Sequence, residues 1–306
     1  MDIKSIAIIG AGAMGAAYAA MFIDAGGFSV SFIASGERYR RLTQSPMTVN
    51  GKPYRIPVVD PKKAPSPAHL IIVALKHHHM AGALNDIKAL AGPESIILSV
   101  MNGLESEEII GAACGMDKMV TAIAVGIDAV REAGRFTFAS PGKILFGAGP
   151  GGGKDPSRLA RLQAALNQAG IANEIPAHMQ RTLWWKFMIN VGINQASAVL
   201  RAPYGVFQRV PDAAALMTAL MREVVALAQA IGIALDEKAI DDWRAILPTL
   251  SPAGKTSMLQ DIEAGRKTEV EIFAGKVVSI GRELKIPTPV NETILQIIRV
   301  METSFS

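Results

Sequence analysis

Short apolar runs and helical patterns alternate through the first 175 residues, and after Pro176 only helical patterns remain. Ser5–Ile9, Phe28–Ala34, His69–Leu75 and Ser95–Val100 are compact, β-branched and apolar on both faces, as strands buried in a parallel sheet are. Met47–Asp60 reads as a hairpin around Asn50-Gly51, and Pro61–Pro67 as a loop. Met119–Val130 and Arg135–Gly147 alternate as late strands, Pro150–Pro156 is a glycine-rich loop, Pro156–Ala169 a helix and Ile171–Ile175 a last strand. Beyond the boundary, which falls near Pro176–Gln180, helical periodicity covers 178–200, 211–231, 235–247, 256–285 and 289–302, separated by proline and glycine. The pattern predicts an α/β doubly wound, mostly parallel sheet over 1–176 and an all-α domain over 177–306.

One turn sharpens that picture. Gly10-Ala11-Gly12-Ala13-Met14-Gly15 follows the first strand directly and opens a helix of small and apolar residues. Strand, glycine turn and helix in that order make the dinucleotide fingerprint of a Rossmann domain. Gly10 permits the tight turn, Gly12 lets the backbone approach a pyrophosphate, and Gly15 lets helix and strand pack closely. The free N–H groups of the helix start then face the phosphates. An NAD-binding chain usually carries an acid at the end of the second strand. Here that end is Ser35-Gly36-Glu37-Arg38, with Arg40 and Arg41 beyond it, which favours NADP(H), although Glu37 could hold the ribose and the arginines could be a solvated helix face. Lys76 and Asn102 stand at the carboxyl ends of the third and fourth apolar strands, where ligands of doubly wound sheets collect. Asn102-Gly103 could also serve the turn alone. His77-His78-His79 sit on consecutive positions that cannot all face one ion, so they read as a loop and helix start, and no metal is expected.

The stretch Trp184–Ala198 is apolar almost all round and is interrupted by Lys186, Asn190 and Asn194 at steps of four. On an α-helix such steps advance a side chain by only about 40°, so one amine and two amides form a stripe. A stripe of this kind is costly to bury unless something polar faces it. The stripe is therefore either the wall of a pocket, with a lysine able to give a proton near neutral pH, or a half-exposed face whose lysine reaches water along its stem. Ser257 opens a later helix. Glu269 is a lone acid before an apolar helix and either pairs with a site group or is a solvated acid at a helix start.

Composition narrows the class. With 50% hydrophobic and 19% charged residues the chain is globular rather than disordered. A net charge of +4 without a basic run fits a small anionic ligand better than a nucleic acid, so no nucleic-acid partner is expected. The lone Cys114 excludes an intramolecular disulfide and a cysteine zinc site. The N-terminal residues have no signal-peptide pattern and no apolar run reaches the length of a membrane span, so the expected location is cytoplasmic, with no membrane partner. Exposed faces of the last helices could pair to give a homodimer.

Taken together, Gly10–Gly15, Lys76, Met101-Asn102-Gly103, the Lys186–Ala198 helix, Ser257-Met258-Leu259-Gln260-Asp261 and Thr268-Glu269-Val270-Glu271 resemble the ketopantoate reductases over almost the whole chain. The first motif is common to many Rossmann enzymes, whereas the last three in this order and spacing are much more specific. The resemblance implies NADPH-dependent reduction of 2-dehydropantoate to pantoate, on the path to pantothenate and coenzyme A. It implies Lys186 as general acid and Glu269 as its partner or a hydroxyl ligand. Asn190, Asn194 and Ser257 would bind substrate; Asn102 and Lys76 would line the cofactor side, with Asn102 also near substrate. The cofactor set is then Gly10, Ala11, Gly12, Ala13, Met14, Gly15, Ser35, Arg38, Lys76 and Asn102. Three places depart from the family pattern: Ser35, where an arginine is common, Tyr204 before Gly205, and Gly254. Two other readings compete: the same chemistry on another branched or bulky 2-oxo acid, motivated by Tyr204, and a non-catalytic dinucleotide-binding regulator.

Overall fold

The computed structural model describes residues 2–44, 46–64, 66–132, 134–148 and 156–305. The expected glycine-rich loop at 150–155 lies outside them. Two compact units divide the chain, Met1–Met179 and Gln180–Ser306.

In the first unit the strands are β1 (Ser5–Ile9), β2 (Ser29–Ile33), β3 (Met47–Val49), β4 (Lys52–Tyr54), β5 (Val58–Val59), β6 (Leu70–Val73), β7 (Ile96–Ser99), β8 (Met119–Ile127), β9 (Val130–Glu132), β10 (Arg135–Thr137), β11 (Pro141–Gly147) and β12 (Ala172–Glu174). The helices are α1 (Ala13–Ala25), α2 (Gly36–Thr43), α3 (Met80–Leu90), α4 (Ser106–Cys114) and α5 (Pro156–Gln168). Eight strands form one sheet in the order β12-β11-β8-β7-β6-β1-β2-β5, parallel except for the β8–β11 pair. Alternation along β1 assigns its side chains to two cores. Ile6 and Ile8 pack with Tyr18 and Phe22 of α1 and Leu162 and Leu166 of α5. Ala7 and Ile9 pack on the opposite side with Met80 and Ile87 of α3 and Ile110 of α4. Helices on both faces of a mostly parallel sheet are the doubly wound arrangement.

The chain around the Asn50-Gly51 hairpin does not extend that sheet. It pairs with β10 and β9 in a second sheet, ordered β4-β3-β10-β9. Val49, Tyr54 and Phe136 of this sheet pack on Ala16 and Ala20 of α1. α1 is thereby covered on two sides, which is why its sequence is apolar all round rather than amphipathic. Asp24 at the end of α1 accepts bonds from the Tyr54 hydroxyl and the Lys52 amine, both at 2.6 Å.

The second unit is helical: α6 (Met179–Ile189), a π turn (Asn190–Asn194), α7 (Gln195–Leu200), α8 (Tyr204–Arg209), α9 (Pro211–Ala230), α10 (Glu237–Ile246), α11 (Ser257–Glu263), α12 (Ala274–Leu284) and α13 (Pro289–Glu302). The continuous helical pattern expected over 256–285 is broken. α11 ends at Glu263, Gly265 takes a φ of +59°, and the Arg266 N–H returns to the Asp261 carbonyl at 2.8 Å. A short 3-10 turn over Val270–Ile272 precedes α12.

The expectation of no membrane-length apolar run also needs correction. α9 spans 20 residues and is apolar enough, by length and composition, to cross a membrane. The Arg222-Glu223 pair inside it obscures that average in the sequence. Within this unit the helix is a core element: Met217, Leu220, Met221, Val224 and Leu227 are buried, and Glu223 receives the Val290 and Asn291 backbone N–H groups at the start of α13.

Candidate functional site

The parallel register brings the carboxyl ends of β1, β2 and β6 side by side, with Ile9 opposite both Ile33 and Val73. The residues that follow are Gly10, Ala34-Ser35 and Ala74–Lys76. Gly10 has a φ of +111°, and a Cβ there would lie 2.2 Å from the Ala74 carbonyl oxygen. A Cβ on Gly15 would lie 1.9 Å from the Gly10 oxygen. Gly12 differs. It caps α1 without a side-chain bond, and a Cβ placed on it would meet nothing within 4 Å. Two glycines are therefore demanded by the chain itself, while the third keeps open the space before the helix start. That cradle fits a dinucleotide pyrophosphate.

At the end of β2, Ser35 is exposed and caps α2 without a side-chain bond. Glu37 pairs with Arg40 at 3.4 Å on the surface. Arg38 is half-buried, and burial together with the charges of Arg41 and Arg131 pulls its guanidinium below the usual arginine range. Burial, then His78 and Arg38, holds the His79 imidazole below the usual histidine value. Arg131 comes from β9 of the second sheet and rides over the Phe136 ring at 5.5 Å. Three arginines are thus gathered where they repel one another, which an anion would relieve. Arg131 was invisible to sequence reasoning because 93 residues of chain separate it from Arg38.

Lys76 precedes a 3-10 turn over His77–His79 and is half-buried. The His78 and His79 rings meet at 4.2 Å, and among the described residues no group of three or more His, Cys, Asp or Glu could hold a metal ion. Asn102 sits in a loop bracketed by a buried chain of polar groups. The Ser99 and Ser106 hydroxyls meet at 2.8 Å, Ser106 donates to the Glu107 carboxylate at 2.7 Å, and the Met101 N–H reaches Ser99 at 3.4 Å.

In the helical unit the stripe of Lys186, Asn190 and Asn194 is not carried by a straight α-helix. Asn190–Asn194 forms a π turn, wider than an α turn. The Asn194 amide donates to the Asn190 side-chain oxygen at 3.3 Å, so the two amides face the same side. Lys186 and Asn190 are half-buried and Asn194 is buried. Gly192 makes the turn compatible with α9, since a Cβ there would lie 2.5 Å from the Met221 side chain.

The segment carrying Glu269 is docked on this helix. Phe187 meets the Phe273 ring at a centroid distance of 6.4 Å, and the Gln195 side-chain oxygen accepts the Ala274 N–H at 2.8 Å. The Gln195 amide also donates to Val191 O and to the Asn291 side chain, whose own amide donates to Glu223 at 2.7 Å. Glu269 itself is 5% exposed, which rules out a solvated acid. Ser257 is exposed on the first turn of α11. Thr256 before it caps that helix by accepting the Leu259 N–H, and donates to Ser197 on α7 at 3.2 Å. α11 packs against α7 and the π turn. Lys186, Asn190, Asn194, Ser257 and Glu269 thus stand on interlocked elements of one unit. Gln195, Asn291 and Thr256, which lock those elements, carried no sequence signal, because their partners lie 59 to 96 residues away.

The family model described as "Ketopantoate reductase PanE/ApbA" matches residues 6–151, and its C-terminal counterpart matches residues 178–302. The chain is 26% identical over 306 residues to a 2-dehydropantoate 2-reductase of Archaeoglobus fulgidus, covering 99% of each. The solved 2-dehydropantoate 2-reductase of Geobacter metallireducens superposes with a TM-score of 0.85 at 25% identity, over 97% of this chain and 99% of that one. A D-mandelate dehydrogenase solved with NADH shares the fold, with a TM-score of 0.89 at 21% identity over 99% of this chain and all of the other. With both units matched by their respective models, the chain belongs to the ketopantoate reductase PanE/ApbA family.

Proposed function

We propose that this protein is an NADPH-dependent reductase of 2-oxo acids, with the family's reaction, ketopantoate to pantoate, as its reference chemistry. The observation that carries the reading is the amine-and-amide stripe on the π-turned helix, with the buried Glu269 segment docked against that helix.

A nicotinamide dinucleotide held at the Gly10–Gly15 turn supplies the hydride. Lys186 donates a hydrogen bond to the C2 carbonyl oxygen and gives it a proton as negative charge develops there; a fixed cation is most effective against charge that appears only in the transition state. Asn190 and Asn194 hold the substrate's hydroxyl and carboxylate, and the exposed Ser257 hydroxyl adds a donor to the carboxylate. Glu269 orients the lysine or holds a hydroxyl. Lys76 and Asn102, at the carboxyl ends of β6 and β7 in the first unit, are assigned to the cofactor. The preference for NADPH rests on Arg38, with Arg41 and Arg131 as neighbours, taking the 2′-phosphate in place of the arginine that Ser35 lacks.

The test is oxidation of NADPH by ketopantoate followed by absorbance, with NADH in parallel and with the Lys186→Ala variant. Selective NADPH oxidation is expected. The variant should lose about 10²–10⁴ in kcat while still binding NADPH, as removal of a general acid does. Full turnover by a folded Lys186→Ala protein would end the general-acid assignment. Tyr204 supports a second reading within the same chemistry, a 2-oxo acid with a bulkier apolar side chain.

A further inference from the structure

α13 ends on an acid. Glu302 is its last residue, at the end of the helix where the dipole disfavours a carboxylate and where Arg299, one turn earlier, is the charge that suits the position. The partner of Glu302 lies 34 residues back in the chain. Its Oε1 accepts the Thr268 backbone N–H at 2.8 Å and the Thr268 hydroxyl at 2.5 Å. Thr268 is 3% exposed, and its hydroxyl oxygen in turn accepts the Val270 N–H at 3.2 Å. The residue enclosed by these bonds is Glu269.

The N–H groups on either side of Glu269 are thus both fixed, one by the carboxylate and one by the hydroxyl that the carboxylate holds. A β-branched threonine has few side-chain rotamers, so holding its hydroxyl also holds the chain that carries it. Glu269 takes φ −100° and ψ +25° between its anchored neighbours, and its carbonyl accepts the Ile272 N–H at 3.1 Å. α13 grips the segment a second time through Arg299, which donates to both oxygens of Glu271 at 2.8 and 2.7 Å. Residues 299 and 302 lie three apart, on one face of α13. The two grips differ in strength. The side chains of Arg299 and Glu271 are about half exposed, and ion pairs in water contribute little. The bonds to Glu302 are charge-assisted, and cutting them strands the N–H and hydroxyl of a buried residue.

We propose that Glu302 is a positioning residue of this reductase, acting through Thr268 to hold the Glu269 carboxylate in the orientation that the reaction uses. The inference rests on the part given to Glu269 in the reductase reading. A carboxylate displaced by about an ångström loses its alignment, and such a displacement costs rate. The dinucleotide turn belongs to the other unit, so NADPH affinity is spared.

The experiment measures kcat, the KM for ketopantoate, NADPH affinity and Tm on the full-length protein. Glu302→Leu is expected to lower kcat roughly ten- to a hundredfold, with NADPH affinity unchanged. Glu302→Gln, whose amide oxygen can accept the same two bonds, should restore kcat to within a few-fold of wild type. Arg299→Leu, which cuts only the exposed pair, should stay near wild type. Thr268→Val keeps the shape of the side chain without the hydroxyl and gives a second route to the same loss where Glu302→Leu does not fold. The deciding measurement is a kinetic cycle with Glu269→Gln, which keeps a hydrogen-bonding side chain at 269. If Glu302 acts through Glu269, Glu302→Leu or Thr268→Val should cost little further once Glu269 is replaced. A loss as large in the Glu269→Gln background as in the wild type overturns the inference, since that is what a loosened fold would give. Wild-type kcat in both Glu302→Leu and Thr268→Val, or a Glu302→Gln protein as slow as Glu302→Leu, overturns it too, and in each case the reductase reading stands. Full turnover by Glu269→Gln removes Glu269 from the chemistry and Glu302 with it. No turnover of any 2-oxo acid by the wild type overturns the reductase reading as well.

Discussion

Three glycines in one turn do three separable jobs, and substitutions can separate them. Gly12→Ala adds a methyl to open space at an ordinary backbone angle, so stability should stay within about 0.5 kcal/mol of wild type. The same methyl intrudes where a pyrophosphate must approach, so NADPH affinity should fall tenfold or more. Gly15→Ala drives a methyl into the Gly10 carbonyl and should cost at least about 1–3 kcal/mol of stability. Denaturant unfolding and NADPH titration by fluorescence check both; a Gly12→Ala protein that binds NADPH normally would remove this turn from the cofactor site. Arg38 offers a second test at this scale. Its neighbours Arg41 and Arg131 raise the cost of its charge, and a dianionic phosphate repays it. Arg38→Ala should weaken NADPH by about 1.5–3 kcal/mol, the range for charge-assisted hydrogen bonds, and leave NADH nearly unchanged. Equal losses for the two cofactors would move the phosphate elsewhere.

The continuous run of α6, the π turn and α7 shows what a sequence reveals about an element and what it hides. Its apolar character, its polar stripe and its extent were all legible, because burial imposes a period on the residues themselves. The strands of the large sheet were legible for the same reason. The π turn was not, since Asn-Val-Gly-Ile-Asn is equally compatible with an α turn, and only the approach of Met221 to Gly192 shows what the glycine is for. The break within 256–285 was hidden too, because Gly265 sits inside a pattern that stays apolar at helical spacing on either side. The second sheet was hidden because its strands are three residues long and come from two distant stretches. Gln195 is the extreme case. Read alone it is one more polar residue on an apolar helix, yet it ties the helix to Ala274 and Asn291. Gln195→Leu leaves a buried N–H and a buried amide oxygen without their partner, at about 1–3 kcal/mol for each group. It should lower Tm and, because Ala274 follows the Glu269 segment, lower kcat without weakening NADPH binding. Wild-type kcat in a destabilised variant would show that Gln195 serves the fold alone.

At the scale of the molecule, each unit holds its own core, so unfolding need not be a single two-state transition. The glycine turn and the arginine cluster both belong to the first unit, and ligand linkage follows from that. A dinucleotide at a hundred times its Kd stabilises the state that binds it by about 2.7 kcal/mol. For a unit of this size each kcal/mol moves the midpoint by about 2–4 °C, so a shift of roughly 5–10 °C is expected in the transition that unfolds the Rossmann unit. NADP⁺ should produce it at concentrations where NAD⁺ does not. If the arginine cluster takes the 2′-phosphate as proposed, the selectivity should shrink as salt is added, because ions screen clustered cations that solvent reaches. Scanning calorimetry with each nucleotide at low and high ionic strength reads all three quantities at once. Equal shifts from NADP⁺ and NAD⁺ at every salt concentration would mean that the arginines gathered around Arg38 serve some other anion, and the cofactor preference would then have to be sought away from the end of the second strand.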